Sequence, residues 1–327
     1  MVTLTACSGD ARLPDAIEVS VPTTTAPQTP AAPTCASTDQ FFGSAAVASY
    51  PALDPLPTAD NLPPGSAMAA IRARGRLIIG VSADTLQFGA RNPVTGAIEG
   101  FDIDILKEVG KAIFGTDDPP IEYRVITYAQ RLPVLENHEV DLVAHTMTIN
   151  CNRWLRIAFS TEYFPAGQKV LVRLQDDGQS NLVPAYDSIE AINDFRGRIC
   201  VPGGSTNLEE IQKPEYSGLQ IVERVDITDC LVAFQQGQVN AITGDDTVLV
   251  GFAAQDPYAV VVGDAFTSEP YGVGIAKDQP ELVQFVNGVL AKIRTDGTWE
   301  DIAARWIDAA NIPPVPQADE SRPLSGG

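Results

Sequence analysis

Short runs of consecutive apolar residues alternate along this chain with longer stretches in which apolar positions recur every three or four residues. The first pattern suits a strand buried on both faces, the second an amphipathic helix. From residue 67 the pattern predicts a short helix over 67–74 and a strand over 76–81. A polar loop over 82–100 follows, with a turn at Pro93-Val-Thr-Gly96. From Gly100 a helix is predicted in which Ile105, Val109, Ala112 and Ile113 recur at helical spacing, with Asp102 and Asp104 in its first turn as the helix dipole prefers. Then come a strand over 121–126, a helix over 131–136 and a buried strand at Val140, Leu142 and Val143. Strand and helix in alternation imply a doubly wound parallel α/β sheet.

At residue 170 the pattern starts again. Strands over 170–173, 198–201, 219–224 and 239–243 are interleaved with helices over 187–195, 207–212 and 227–236. A further strand over 271–275 and helices over 280–294 and 299–306 complete it. The expectation is two doubly wound α/β lobes joined by a two-segment hinge, with a ligand cleft between them. Lobe one takes 65–166 and 270–312, and lobe two takes 167–269. The Pro- and Thr-rich residues 1–64 read as a lipobox and solvated tether, and 313–327 as a disordered tail.

The start of the chain refines this picture. Leu4-Thr5-Ala6-Cys7 has the form of a bacterial lipobox, which makes Cys7 the expected lipidation site and the membrane an expected partner through the anchor. Most of a signal peptide is missing, so Met1 is not expected to be the native start. Cys35, Cys151, Cys200 and Cys230 remain, an even set suited to an exported protein. Three pairings are open. The favoured one joins Cys200 with Cys230 around a loop of about thirty residues, worth roughly 3 kcal/mol, and leaves Cys35 with Cys151. A net charge of -20 leaves no basic surplus for nucleic acid. No apolar run reaches membrane-spanning length.

Candidate chemistry collects at strand ends. Thr146-x-Thr148 closes one buried strand, at the edge where open α/β sheets bind ligands, and Arg153 adds a planar fork suited to a carboxylate. Gly203-Gly204-Ser205-Thr206 opens a helix and offers N–H groups and hydroxyls to an anion, or else is a simple N-cap. Asp245 ends a strand of the second lobe and suits an ammonium group, while it or Asp246 could only cap a turn. Together these suit an α-amino acid. No Gly-x-Ser-x-Gly elbow and no zinc motif occur, so neither catalysis nor a metal or other cofactor is expected.

The series Leu77-Ile-Ile-Gly-Val, Gly100-Phe-Asp-Ile-Asp-Ile, Val140-Asp-Leu, Thr146-x-Thr148, Arg153, Phe159-Ser160, Gly204-Ser-Thr206, Asp245, Gly297-Thr-Trp299 and Arg305-Trp306 resembles the polar amino-acid family of periplasmic-type solute-binding proteins, over about 67–307. Residues 82–93 and the pair Asp245-Asp246 most resemble its glutamate/aspartate binders. The resemblance implies a hinged, monomeric receptor that closes on one amino acid and presents it to an ABC importer permease. Carried over, Arg153, Thr148, Gly204, Ser205 and Thr206 bind the α-carboxylate. Asp245 and the Thr146 carbonyl bind the ammonium, Phe88 packs on the ligand's stem, and Arg91 is the candidate cation for an acidic side chain. The hinge falls near 164–169 and 267–271. His145 and Asn150-Cys-Asn152 depart from the family's pattern, which puts the pocket floor in doubt. A membrane-bound sensor as partner and a dehydratase-type enzyme on the same fold are the alternatives.

Overall fold

The structure is a computed structural model that describes residues 44–324, so Cys7, Cys35 and most of the expected tether lie outside it. Ten strands form the main path of the two sheets: β1 Leu77–Val81, β2 Ile121–Val125, β3 Leu142–Ala144, β4 Ile157–Phe159, β5 Gln168–Asp176, β6 Arg198–Pro202, β7 Gln220–Arg224, β8 Ala241–Asp245, β9 Ala259–Val262 and β10 Gly274–Ala276, and the short strand Leu182–Pro184 pairs with the end of β5. The first sheet has the order β2-β1-β3-β10-β4 and the second β7-β6-β8-β5-β9. β1 is buried along its whole length, the environment that an unbroken Leu-Ile-Ile-Gly-Val run requires.

The sheets are mixed, which corrects the expectation of purely parallel ones. β1, β2 and β3 run parallel, as do β6, β7 and β8. β5 and β10, the first strands after each passage between lobes, run antiparallel to their neighbours β8 and β3. The reason is geometric. A chain that enters a sheet at the carboxyl ends of its parallel strands must run against them, and Gln168 at the start of β5 pairs with Asp245 at the end of β8. The carboxyl ends of both sheets therefore face the crossings. The two crossing segments pair with each other, Tyr271 N–H donating to Phe164 O at 2.8 Å and Glu269 N–H to Ala166 O at 2.7 Å.

The disulfide Cys200–Cys230 ties β6 to the helix Ile227–Gln235. Cys151 is also disulfide-bonded, and its expected partner Cys35 lies outside the described residues.

Two expectations about the ends are corrected. Residues 46–50 are docked on the first lobe, with Ser49 and Tyr50 buried. Ser49 Oγ donates to Phe159 O at 2.7 Å, and the buried Asn287 amide donates to Ser49 Oγ at 2.9 Å and Tyr50 O at 2.7 Å. Residues 319–322 of the expected tail are not free. Ser49 N–H donates to Asp319 O and Arg322 N–H to Ser49 O, and the Arg322 guanidinium lies 3.9 Å from the centre of the Trp154 ring. Proline and low aliphatic content argue against a packed element, but an extended segment needs only partners for its backbone groups. Trp154 and Asn287 supply them at Ala46 and Tyr50, and the two ends supply them to each other at Ser49.

Candidate functional site

The two lobes meet in a closed polar seam. Arg131 Nη2 donates to Gly204 O at 3.3 Å, the hydroxyls of Thr148 and Thr206 lie 3.3 Å apart, and Thr228 donates to Asp84. Gly204 has a φ of 75°, and an added Cβ would lie 2.9 Å from the Ala129 Cα. Glycine is thus required both for the left-handed backbone and for the approach of the second lobe's loop to the first lobe.

From the first lobe, the turn after β3 and the one-turn helix Cys151–Trp154 bring Thr148 and Arg153 together. Asn150 caps that helix, its Oδ1 accepting from Arg153 N–H at 2.8 Å. The Arg153 side chain folds back, Nη1 donating to Thr148 O at 2.7 Å. Burial lowers its pKa, while Glu209, Glu269 and Asp245 favour its charge from longer range. Thr146 sits in the left-handed region at φ 41°, an uncommon conformation for a residue with a branched side chain. The buried Asp102 carboxylate, accepting from Thr146 N–H at 2.8 Å and Tyr163 OH at 2.7 Å, holds it there.

A second arginine stands beside these. Arg131 is buried, with Nε donating to Tyr128 O at 3.1 Å and Nη1 to His145 O at 3.1 Å and Thr146 O at 3.3 Å. Burial first, and the Arg153 charge second, push its pKa down to about 9. Among the described residues neither guanidinium forms an ion pair. His145 lies beneath them; burial and then Arg131 push it down to about 4, so the imidazole is neutral at pH 7.

The second lobe supplies Asp245 at the end of β8. Its carboxylate accepts from Asn207 Nδ2 at 2.8 Å and Tyr271 OH at 2.7 Å. Burial first, and the Glu269 charge next, raise its pKa to about 7. Asp246 is the residue that holds a turn, accepting from Gly167 N–H at 3.3 Å and Thr247 N–H at 2.8 Å. Glu269, in the returning crossing segment, accepts from both Thr148 and Thr206 hydroxyls.

The structure thus gathers Thr146, Thr148, Arg153, Gly204, Thr206 and Asp245 in one seam. Three further expected residues have other partners. Arg91 is exposed and donates to Gly96 O at 2.7 Å, because the hairpin over 89–99 turns it away from the seam. The Ser205 hydroxyl caps the helix, accepting from Leu208 N–H and donating to Pro202 O, which leaves the backbone N–H as the group that Ser205 can offer an anion. Phe88 is enclosed by Phe101, Phe164 and Tyr271, with ring centres 5.1 to 5.8 Å away, and packs the foot of the hinge. Arg131 and Glu269 were missed. Arg131 reads as a helix-start residue, although the apolar Leu132-Pro-Val-Leu135 beside it signals a buried neighbourhood; Glu269 is an isolated acid in a crossing segment.

Two cavities flank the seam. One of about 290 Å³ lies behind the hinge, against Phe164, Lys169 and Asp246, and one of about 420 Å³ lies at the mouth, against Ala129, Gly203 and Val225. Neither is lined by Arg153 or Asp245, which are both buried.

Two α/β lobes, crossed twice by the chain and shut on a buried polar seam, define a periplasmic binding protein-like fold. The chain belongs to the bacterial extracellular solute-binding proteins, family 3, whose model matches residues 77–309. It is 34% identical over 242 residues to the ABC transporter glutamine-binding protein GlnH of Bacillus subtilis (strain 168), covering 73% of this chain and 84% of that one. To the glutamate-binding protein GluB of Corynebacterium efficiens it is 33% identical over 245 residues, 72% of this chain and 80% of that one. A mutant of ArgBP from T. maritima matches in structure with a TM-score of 0.66 at 28% identity, covering 73% of this chain and 98% of that one. A crystal structure described as an ancestral amino acid-binding protein, a precursor of cyclohexadienyl dehydratase, matches with a TM-score of 0.66 at 28% identity, over 74% of this chain and 100% of that one.

Proposed function

We propose that the protein is an extracytoplasmic receptor for an acidic amino acid, glutamate above all, which it delivers to an ABC importer. The observation that carries this reading is the charge pattern of the seam. Two buried guanidiniums, Arg153 and Arg131, have no carboxylate partner of their own among the described residues, and a buried carboxylate, Asp245, has no cation. Buried charges are stable when paired. An amino acid with two carboxylates and one ammonium supplies the complement: the α-carboxylate on Arg153 and Thr148, the ammonium on Asp245, the side-chain carboxylate on Arg131. This moves the side-chain role from Arg91 to Arg131. The relatives named for glutamine and glutamate support the class of ligand.

In this reading Cys7 carries the lipid anchor, the segment that follows is the tether, and residues 65–166 with 270–312 close against 167–269 about the paired crossings. The relatives named as binding proteins favour binding over a dehydratase-type activity. A thermal-shift screen of the twenty amino acids tests the class: glutamate is expected to raise the melting temperature most, followed by aspartate or glutamine. A response to arginine or to no polar amino acid overturns the reading.

A further inference from the structure

The seam already contains a carboxylate that belongs to the chain. Glu269 is fully buried, and its Oε1 accepts from Thr267 Oγ1 at 2.7 Å. Its Oε2 accepts from Thr148 Oγ1 at 2.6 Å and from Thr206 Oγ1 at 2.7 Å. Thr148 follows β3 of the first sheet and Thr206 opens the helix after β6 of the second, so one oxygen atom joins the two lobes. A hydroxyl has a single proton to donate. While both protons point at Glu269, neither threonine can donate to another carboxylate. The carboxylate is also felt at both ends of the seam, favouring the charge of Arg153 and raising the pKa of Asp245.

We propose that Glu269 is a tethered competitor of the ligand, which holds the lobes together through Thr148 and Thr206 and which an incoming α-carboxylate must displace from those hydroxyls. The identity of the displacing group rests on the amino-acid reading above; the clasp between lobes does not. A side chain already in the cleft competes without a diffusional step, so it lowers the affinity for every α-carboxylate ligand alike. It also keeps the seam shut between binding events.

The test is small-angle scattering on the protein without added amino acid, together with calorimetry, on the wild type and Glu269→Gln. The amide keeps the shape but replaces charge-assisted hydrogen bonds with neutral ones about half as strong. The variant is expected to have a larger radius of gyration without ligand and to bind glutamate about five- to tenfold more tightly. An unchanged radius overturns the proposal. So does a variant that opens but binds more weakly, which makes Glu269 a partner of the ligand's ammonium. Should Glu269→Gln fail to fold, Thr206→Val removes one half of the clasp: a larger radius supports the proposal and an unchanged one overturns it. Should the wild type bind no amino acid, the functional reading fails, while the scattering comparison still decides whether Glu269 holds the lobes.

Discussion

Arg153 and Arg131 are separable by the ligand they are tested against. Arg153→Ala removes a buried charged contact and should weaken every amino acid bound by about 2 to 5 kcal/mol. Arg131→Ala should weaken glutamate far more than glutamine, since only the former brings a charge to that end. Equal losses for the two ligands would remove Arg131 from side-chain recognition. Titration offers a second test. Asp102 and Asp245 are raised by burial from 3.8 to about 7, so the folded state binds their protons more tightly than the unfolded chain does. The stability they lend is full below about pH 4 and is lost as pH rises through 7. Melting of the unliganded protein should therefore fall from pH 5 to pH 8, and Asp102→Asn should flatten the slope; an equally steep slope in that variant would contradict the role of burial. Arg153 and Asp245 were legible in the sequence because each directly follows a buried strand or its turn. Arg131 was not, because its burial depends on how Tyr128, His145 and the second lobe's Gly204 close around it.

At the scale of elements, the strand pattern was legible and the strand directions were not. A run such as Val-Leu-Val over 170–172 is apolar in either direction, and only the crossing forces β5 to run against β8. The ends were misread for a related reason. Residues 46–50 and 319–322 meet groups far away in sequence: Ala46, Ala48 and Tyr50 are buried, the Tyr50 ring packs edge-on to Trp154, and hydrogen bonds run to Phe159, Trp154 and Asn287 and between the two ends. Asn287 is the centre of that strap: it donates to Ser49 and Tyr50 and accepts from Thr161 N–H at 2.8 Å. Asn287→Ala leaves buried groups without partners and should cost about 2 to 3 kcal/mol, lowering the melting temperature by roughly 4 to 8 °C. An unchanged melting temperature would show that the strap adds nothing to the first lobe. The strap also reaches the helix that carries Arg153, since Trp154 Nε1 donates to Ala46 O at 2.9 Å.

For the whole molecule, the account is one of two lobes whose parallel strands all end at the paired crossings, so that each contributes one end of a charged seam. The lobes were legible because the strand-helix pattern repeats; their closure was not, because it depends on single contacts such as Gly204 against Ala129. A ligand holds such a molecule shut only through contacts that the open form cannot make with both lobes. Calorimetric titration of the wild type with glutamate and with glutamine at pH 7.5 tests this most directly. The account predicts that both bind at a single site per chain and that glutamate binds more tightly by a factor of about ten or more, the worth of a charge-assisted pair over a neutral one. Tighter binding of glutamine, or no binding of glutamate, would contradict it.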